Sequence, residues 1–128
     1  MKKILLMLVA LIATSFSAMA EDIYIVAGSE ELCGTAWDCT DLNNKMTDNG
    51  DGTYSKTFTN VAAMNGYQFK VTKNGTEWYG DVAGNNITFN VTTACDVTIT
   101  FNATTFKSTV TGSGVQAYVF NVEKAIAV

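Results

Sequence analysis

Residues 66–72 read Gly66-Tyr67-Gln68-Phe69-Lys70-Val71-Thr72. An apolar side chain stands at every second position of this stretch, and a polar one follows each of them. A period of two puts the apolar side chains on one face of a β-strand and the polar ones on the other. Aromatic and β-branched residues are also the types that a half-buried pleated surface favours. This stretch therefore predicts a strand with one face toward an apolar core.

The same alternation recurs along the chain. It predicts further strands at residues 23–26, 53–59, 87–91, 97–101, 106–110 and 115–122. Residues that tolerate tight turns separate these strands, at 48–52, 65–66, 73–75, 84–86 and 112–114. Strands at roughly ten-residue spacing predict an all-β fold, a two-sheet antiparallel sandwich of immunoglobulin-like type. The nearly continuous apolar run at 23–26 predicts a strand that is buried on both faces or lies centrally in its sheet. Only residues 30–44 leave room for a helical turn.

Residues 1–20 have the pattern of a secretory signal peptide. Lys2 and Lys3 form a charged start, residues 4–12 are apolar, and the segment ends in Ser17-Ala18-Met19-Ala20, a small-x-small cleavage pattern. The apolar part is shorter than the ~20 residues that a membrane-spanning helix needs. We therefore expect cleavage after residue 20 and a single domain at residues 21–128. That domain would be secreted (extracellular, or periplasmic if the host has an outer membrane), with no stable membrane insertion after cleavage.

The composition argues against several classes of function. The 128 residues include no histidine, and all eight basic residues are lysines. Without histidine, Ser–His and Cys–His nucleophile pairs and histidine-containing metal sites cannot form, and without arginine there is no bidentate phosphate clamp. The formal charge is −4 and becomes −6 if Lys2 and Lys3 leave with the signal peptide. Nucleic acid and anionic membranes are therefore poor partners, and we expect no cofactor.

One acidic stretch matches a calcium-binding loop only in part. It reads Asp48-Asn49-Gly50-Asp51-Gly52. An EF-hand loop needs oxygen ligands at its third and fifth positions and a glutamate at its twelfth. Glycine occupies the third and fifth positions here, and Thr59 occupies the twelfth. We therefore predict a hairpin turn at residues 48–52 and no metal site.

Cys33, Cys39 and Cys95 are candidates for disulfide bonds in an exported chain. Cys33 and Cys39 flank a short loop that a local bond would close. Cys95 begins an apolar run and is expected to point inward, although a bond from it to either loop cysteine is almost as consistent with the sequence. The odd number leaves one thiol over. A catalytic thiol is not expected, because no histidine is present to lower its pKa.

Three aromatic residues lie outside the alternating runs. Trp37 lies in the loop between the first two cysteines, and Trp78 and Tyr79 lie in a polar segment after the turn at residues 73–75. An exposed indole is unfavourable in water unless something covers it. Sugar rings pack their C–H faces on flat aromatic side chains, while neighbouring polar groups bind their hydroxyls. These residues favour a carbohydrate site; the alternative is that the indoles cover the ends of the core.

Paired carboxylates are the remaining route to an enzyme, because glycoside cleavage needs only two of them. Asp38 and Asp41 are close in sequence, and Asp81 lies just beyond Trp78 and Tyr79. Nothing in their spacing distinguishes them from solvated loop acids, and a small sandwich offers little room for a catalytic cleft. We therefore expect no enzymatic activity, with a small glycosidase as the alternative.

Several segments carry a resemblance to a known family. They are Val26-Ala27-Gly28, residues 32–38, residues 44–54, residues 67–72, the Asn74-Gly75 turn before Trp78, Tyr79-Gly80-Asp81, Gly84-Asn85-Asn86 and residues 96–102. In this order and spacing they resemble the starch-binding-type, immunoglobulin-like accessory module of bacterial pullulanases and amylases. The resemblance covers roughly residues 23–111.

The resemblance implies a non-catalytic β-sandwich that binds a polysaccharide, starch or a related α-glucan, and assists an amylolytic enzyme partner. It implies Trp78 and Tyr79 as the sugar platform, after the strand that carries Lys70, with Trp37 as a second aromatic. The polar contacts that it implies come from Lys73, Asn74 and Asp81.

A second class of function remains open at this point. The chain could be a secreted structural or adhesive module whose aromatic patch meets another protein without sugar binding. An unpaired cysteine and the candidate strand after Gly114 favour this alternative, because a spare thiol or an open sheet edge promotes association.

Overall fold

The computed structural model describes residues 21–117, which form nine β-strands, a short α-helix and one turn of 3₁₀-helix. The strands are β1 (Tyr24–Gly28), β2 (Thr47–Asp48), β3 (Thr53–Val61), β4 (Met64–Lys73), β5 (Glu77–Tyr79), β6 (Ile87–Val91), β7 (Cys95–Asn102), β8 (Lys107–Thr111) and β9 (Val115–Ala117). The helix α1 is Glu30–Cys33, and the 3₁₀ turn is Leu42–Asn44. No helix in the described range is long and apolar enough to cross a membrane.

The strands form two antiparallel sheets. The first sheet has the order β1-β4-β6-β9, and β5 also pairs with β4. The second sheet has the order β2-β3-β7-β8. The prediction of an all-β chain with two antiparallel sheets is confirmed. The predicted signal peptide and the end of the last predicted strand, residues 118–122, lie outside the described residues, and the immunoglobulin-like topology stays a prediction.

The core lies between the two sheets. Tyr67, Phe69 and Val71 of β4 face inward as the alternation predicts, each at most 1% exposed. On the second sheet, β7 supplies the equally buried side chains Val97, Ile99 and Phe101. Each such side chain contributes about 1.5–3 kcal/mol when it leaves water. β4 and β7 are also internal strands of their sheets, so each supplies the centre of the core from its own side.

β1 is buried along its whole length, as its continuous apolar run predicts. It is not central, however, because the order of the first sheet places it at one end. The segment after α1 covers its free edge: Ala36 bridges to Gly28, and Lys45 bridges to Ile25. This segment shields the edge of β1 that no strand pairs with in the described structure.

The structure corrects several boundaries. Residues 30–44, which left room for a helical turn, contain both α1 and the 3₁₀ turn. The predicted hairpin at residues 48–52 is confirmed, because β2 pairs with β3 across it. Trp78 and Tyr79 are not in a loop: they belong to the short strand β5. Phe106, predicted to begin a strand, precedes β8 with a φ of 62°.

None of the anticipated disulfides is present within residues 21–117, where all three cysteines are free. The Cys33 thiol belongs to the core, and burial raises its pKa to about 11. The Cys39 sulfur lies 3.9 Å from the Gly75 carbonyl oxygen, at the turn between β4 and β5. The Cys95 sulfur accepts a hydrogen bond from the amide of Gly114 and packs on the core, which confirms its inward orientation. The three thiols thus have separate sets of neighbours.

Candidate functional site

The hairpin of β4 and β5 presents Trp78 on the outer face of the first sheet. In the register of this hairpin Trp78 pairs with Thr72, and Tyr79 pairs with Val71. Directly opposite residues of an antiparallel pair lie on the same face. Because Val71 faces the core, Thr72 and Trp78 face away from it. The indole remains 41% exposed, so β5 offers it to solvent on a paired strand rather than on a loop.

Lys70 lies on the same outer face, one step further along this ladder. The next position of the register sets Lys70 beside Gly80. The Cε atom of Lys70 lies 3.1 Å from the position that a Cβ would take at Gly80. The aliphatic stem of the lysine therefore passes over the glycine, and its ammonium group belongs to the same face as the Trp78 indole.

Tyr79 lies on the opposite face from Trp78. Its ring packs on Phe101, with 5.3 Å between centroids, and stacks on Phe106, with 4.8 Å between centroids and 5° between planes. Its hydroxyl donates a 2.7 Å hydrogen bond to Oε1 of Glu77. That bond, together with desolvation, raises the pKa of Tyr79 to about 12. The structure therefore does not bring Trp78 and Tyr79 together as one platform, because successive strand residues face opposite ways.

Trp37 lies beside the end of β1. Its backbone amide donates a 2.9 Å hydrogen bond to the carbonyl of Gly28, next to Ala27, which pairs with Lys70. The indole is 36% exposed. The backbone φ of Trp37 is 54°, in the left-handed region. This conformation costs a bulky residue about 1–3 kcal/mol. The loop thus holds an exposed tryptophan in an unfavourable backbone conformation at the edge of the same sheet.

The polar candidates at the β4–β5 turn bind the first described residues of the chain. Asn74 accepts a hydrogen bond from the amide of Ile23 through Oδ1 and donates one to Asp22 through Nδ2, at 2.8 and 3.0 Å. The ammonium of Lys73 lies 3.8 Å from a carboxylate oxygen of Asp22. Lys73 shares the face of Tyr79 rather than that of Trp78, by the alternation along β4. Asn74 and Lys73 therefore stabilise the hairpin that carries Trp78.

The aspartates organise their own loops. Asp81 accepts hydrogen bonds from the amides of Ala83 and Asn85 through one carboxylate oxygen, both at 2.9 Å. Asp38 accepts from the hydroxyl and amide of Thr40, and these bonds lower the pKa of Asp38. Within residues 21–117 there is no cluster of three or more Asp, Glu, Cys and His side chains that could hold a metal ion.

Two hollows of the described surface have volumes of about 660 and 300 Å³. Tyr54 and the carboxylates of Glu21, Asp22 and Asp48 border the larger one. Neither hollow includes Trp37, Trp78 or Lys70. A ligand at the tryptophans would therefore lie outside both hollows.

Sequence reasoning missed two residues of this region. Gly80 admits the stem of Lys70, and a Cβ there would lie 2.0 Å from the carbonyl oxygen of Asn85. Its place between Tyr79 and Asp81 offered a weak signal, since glycine is common where backbones approach closely. Phe106 is 49% exposed and covers Tyr79. No pattern in the sequence indicates its left-handed backbone, because phenylalanine rarely adopts one.

These features define an antiparallel β-sandwich domain with exposed aromatic side chains on one sheet. The chain belongs to the pullulanase X25 domain family, whose model matches residues 24–108. A solved structure of similar fold is the pullulanase from Bacillus acidopullulyticus, at a TM-score of 0.61 and 17% sequence identity. The match covers 72% of this chain and 12% of that chain. No curated protein matches the chain.

Proposed function

We propose that this protein is a secreted, non-catalytic module that binds starch or a related α-glucan through the outer face of its first sheet. The observation that carries this proposal is the half-exposed indole of Trp78 on a paired strand, on the same sheet face as Lys70. Membership of the pullulanase X25 domain family supports the choice of an α-glucan. The signal-peptide pattern of residues 1–20 supports secretion.

The chemistry of the outer face suits a neutral polysaccharide. The C–H face of a glucose ring packs against the indole of Trp78, and the ammonium of Lys70 donates to sugar hydroxyls. Trp37, at the β1 edge of the same sheet, adds a second aromatic surface. A shallow face of this kind buries little ligand area, so we expect millimolar to micromolar binding, about −4 to −8 kcal/mol.

The remaining candidates take a supporting part. Asn74 and Lys73 hold the β4–β5 hairpin through Asp22 and Ile23, while Asp81 closes the loop after β5. Asn74 and Asp81 retain donors or acceptors that a sugar hydroxyl at the rim could use, whereas Lys73 lies on the face of Tyr79. Tyr79 supports the proposed site indirectly, because its ring packs on Phe101 and holds β5 against the core.

The proposed role is to hold the substrate of an amylolytic enzyme partner. The carboxylates Asp38 and Asp81 bind backbone amides of their own loops, which argues against the small-glycosidase alternative. The proposed binding face lies outside both hollows, whereas catalysis benefits from a site that excludes water. Failure to release reducing sugar from a panel of glucans is the expected result.

Affinity electrophoresis in gels that contain soluble starch tests the proposal. Wild-type protein is expected to be retarded, and Trp78→Ala is expected to migrate as it does without starch. Thr59→Ala, an exposed position on β3 of the second sheet, is the control and should be retarded like wild type. An unretarded wild type would remove the proposal.

A protein-interaction module without sugar binding is the second candidate. The observation that favours it is exposed apolar side chains other than the tryptophans, above all Leu42 at 66% and Val82 at 89%. Exposed apolar side chains promote association when they form a patch. Light scattering and non-reducing electrophoresis of the purified domain distinguish the two: a strict monomer without thiol crosslinks counts against this candidate.

A further inference from the structure

β5 carries aromatic surface on both of its faces. Trp78 occupies the outer face, and on the other face the ring of Phe106 stacks on Tyr79 with parallel planes, 4.8 Å apart at the centroids. Phe106 is 49% exposed, more than either tryptophan. One face of its ring thus stacks on Tyr79 while about half of the residue remains exposed.

The backbone holds Phe106 in this place. The side-chain oxygen of Asn102 accepts hydrogen bonds from the amides of Thr104 and Thr105, and the Asn102 carbonyl accepts one from Phe106 at 2.7 Å. The φ of 62° at Phe106 is a conformation that asparagine and glycine adopt far more readily. A bulky residue in a strained turn, with its ring exposed and immobilised, points to a role in recognition. A ring fixed in advance loses little freedom when a ligand binds.

The position of β5 makes its two faces continuous. β5 pairs with β4 along one edge, and within residues 21–117 no strand pairs with its other edge. Trp78 and Tyr79 are consecutive residues of this three-residue strand. Among the described residues, no paired strand therefore separates the Trp78 face from the Phe106 face along this edge of β5.

Two charged residues belong to the segments that carry Phe106 and Tyr79. Lys107 follows Phe106 in the chain and is exposed. The Glu77 carboxylate accepts from the Tyr79 hydroxyl through one oxygen, which leaves its remaining lone pairs to accept from a ligand hydroxyl. An aromatic pair with a carboxylate acceptor bound to its tyrosine hydroxyl suits the alternating C–H and hydroxyl surface of a sugar chain.

We propose that the stacked pair of Phe106 and Tyr79 is a second glucan-contact surface, so that one long α-glucan chain contacts the domain on both faces of β5. This inference rests on the proposed function at Trp78. A polymer held at two points binds more tightly than an oligosaccharide too short to reach both. The domain therefore distinguishes glucans by chain length.

The test compares maltotriose and amylose as ligands of wild type, Phe106→Asn and Trp78→Ala. Asparagine tolerates the positive φ, so this substitution removes the ring without adding strain. Phe106→Asn is expected to weaken amylose binding by at least about fivefold, as the loss of one of two linked contacts predicts. Its maltotriose affinity, measured by tryptophan fluorescence, should stay within twofold of wild type, a limit of roughly 0.4 kcal/mol. Trp78→Ala should lose both ligands.

Two further variants separate recognition from folding. Phe106→Tyr keeps a flat ring and should bind amylose like wild type, whereas Phe106→Leu keeps apolar volume without a flat face and should resemble Phe106→Asn. Thr109→Asn, at an exposed position on β8, is the matched control and should have no effect. Thermal unfolding of each variant identifies any that fail to fold, and the Tyr and Leu variants then decide the outcome.

The possible results distinguish failure of the second glucan-contact surface from failure of the proposed function at Trp78. If Phe106→Asn and Phe106→Leu bind amylose like wild type while Trp78→Ala does not, the second surface is absent and the proposed function stands. Equal loss in Thr109→Asn, or loss of maltotriose binding in Phe106→Asn, also overturns the second surface. If wild type binds neither ligand, both proposals fail. If Phe106 is needed to capture a protein and not to bind amylose, the proposal of a second glucan-contact surface is also overturned.

Discussion

Trp78 pairs with Thr72 across the β4–β5 ladder, and Thr72 is completely buried although it lies on the outer face of the sheet. The Thr72 hydroxyl donates a 3.1 Å hydrogen bond to the carbonyl of Ile25 on β1. The strand beneath Trp78 is therefore joined to its neighbour by side-chain as well as backbone hydrogen bonds. This arrangement gives the exposed indole a firm base, as a preorganised binding surface requires.

Replacing Gly80 with alanine tests whether this face depends on close backbone approach. The added Cβ would lie 2.0 Å from the Asn85 carbonyl oxygen and 3.1 Å from Cε of Lys70. We expect the free energy of unfolding to fall by about 2–3 kcal/mol. Gly84→Ala is the control in the same loop: nothing lies within 4 Å of its Cβ, and only its φ of 82° is unfavourable, which predicts a loss of about 1 kcal/mol. Equal losses in thermal or denaturant unfolding would contradict the close contact.

Replacing Lys70 with methionine tests the proposed polar contact on the Trp78 face. Methionine retains an apolar stem over Gly80 but has no ammonium. We expect starch binding to weaken by about 1 kcal/mol, or about fivefold, with little change in the unfolding temperature. Lys45→Met is the matched control, because Lys45 borders the hollow at Tyr54 rather than the tryptophans. An affinity identical to that of wild type would remove Lys70 from the site.

The pH dependence of stability tests the hydrogen bond between Tyr79 and Glu77. The folded-state pKa of Tyr79 is raised from 10.0 to about 12, chiefly by this bond. Between these values the unfolded state releases the tyrosine proton first, so the free energy of unfolding falls as the pH rises from 10 to 12. Denaturant titrations at several pH values should give a smaller fall in Tyr79→Phe. In Tyr79→Phe the free energy of unfolding still falls with rising pH, because burial raises the pKa of Tyr24 and Tyr67 as well. Identical slopes would mean that the hydrogen bond is absent in solution.

The reactivity of the cysteines tests their environments. Burial raises the pKa of Cys33 to about 11, and alkylation requires the thiolate. In native protein at pH 8 we expect iodoacetamide to modify the half-buried Cys39 much faster than Cys33, with mass spectrometry of peptides as the measurement. Denaturant should remove the difference. Equal native rates, or a peptide that joins two cysteines, would contradict the structure.

Much of the fold follows from patterns of two kinds in the sequence. Strict alternation in β4 and β7 predicts both strands and their buried faces, because one polar and one apolar face allow only one register. The continuous apolar run in β1 predicts burial on both sides. Its place at the end of the sheet does not follow, because the covering segment, residues 36–45, has no period of its own.

The sequence did not predict β5, because three residues are too few to show an alternation of apolar and polar side chains. Trp78 and Tyr79 then resembled one aromatic platform, since adjacency along the chain does not reveal which face each side chain takes. Only the pairing with Thr72 and Val71 separates them. The left-handed backbones of Trp37 and Phe106 were likewise hidden, because they are imposed by hydrogen bonds to Gly28 and Asn102 rather than by the preference of the residue itself.

The most direct test of the central claim observes the indole of Trp78 while an α-glucan is added. The chain contains two tryptophans, so an ¹⁵N-labelled sample gives two indole N–H signals, and Trp78→Phe assigns them. On titration with maltoheptaose we expect the Trp78 signal to shift and saturate in the micromolar to millimolar range, with smaller changes for Trp37. If neither indole signal moves at saturating sugar while the protein remains folded, the outer face of the first sheet is not a glucan-binding surface.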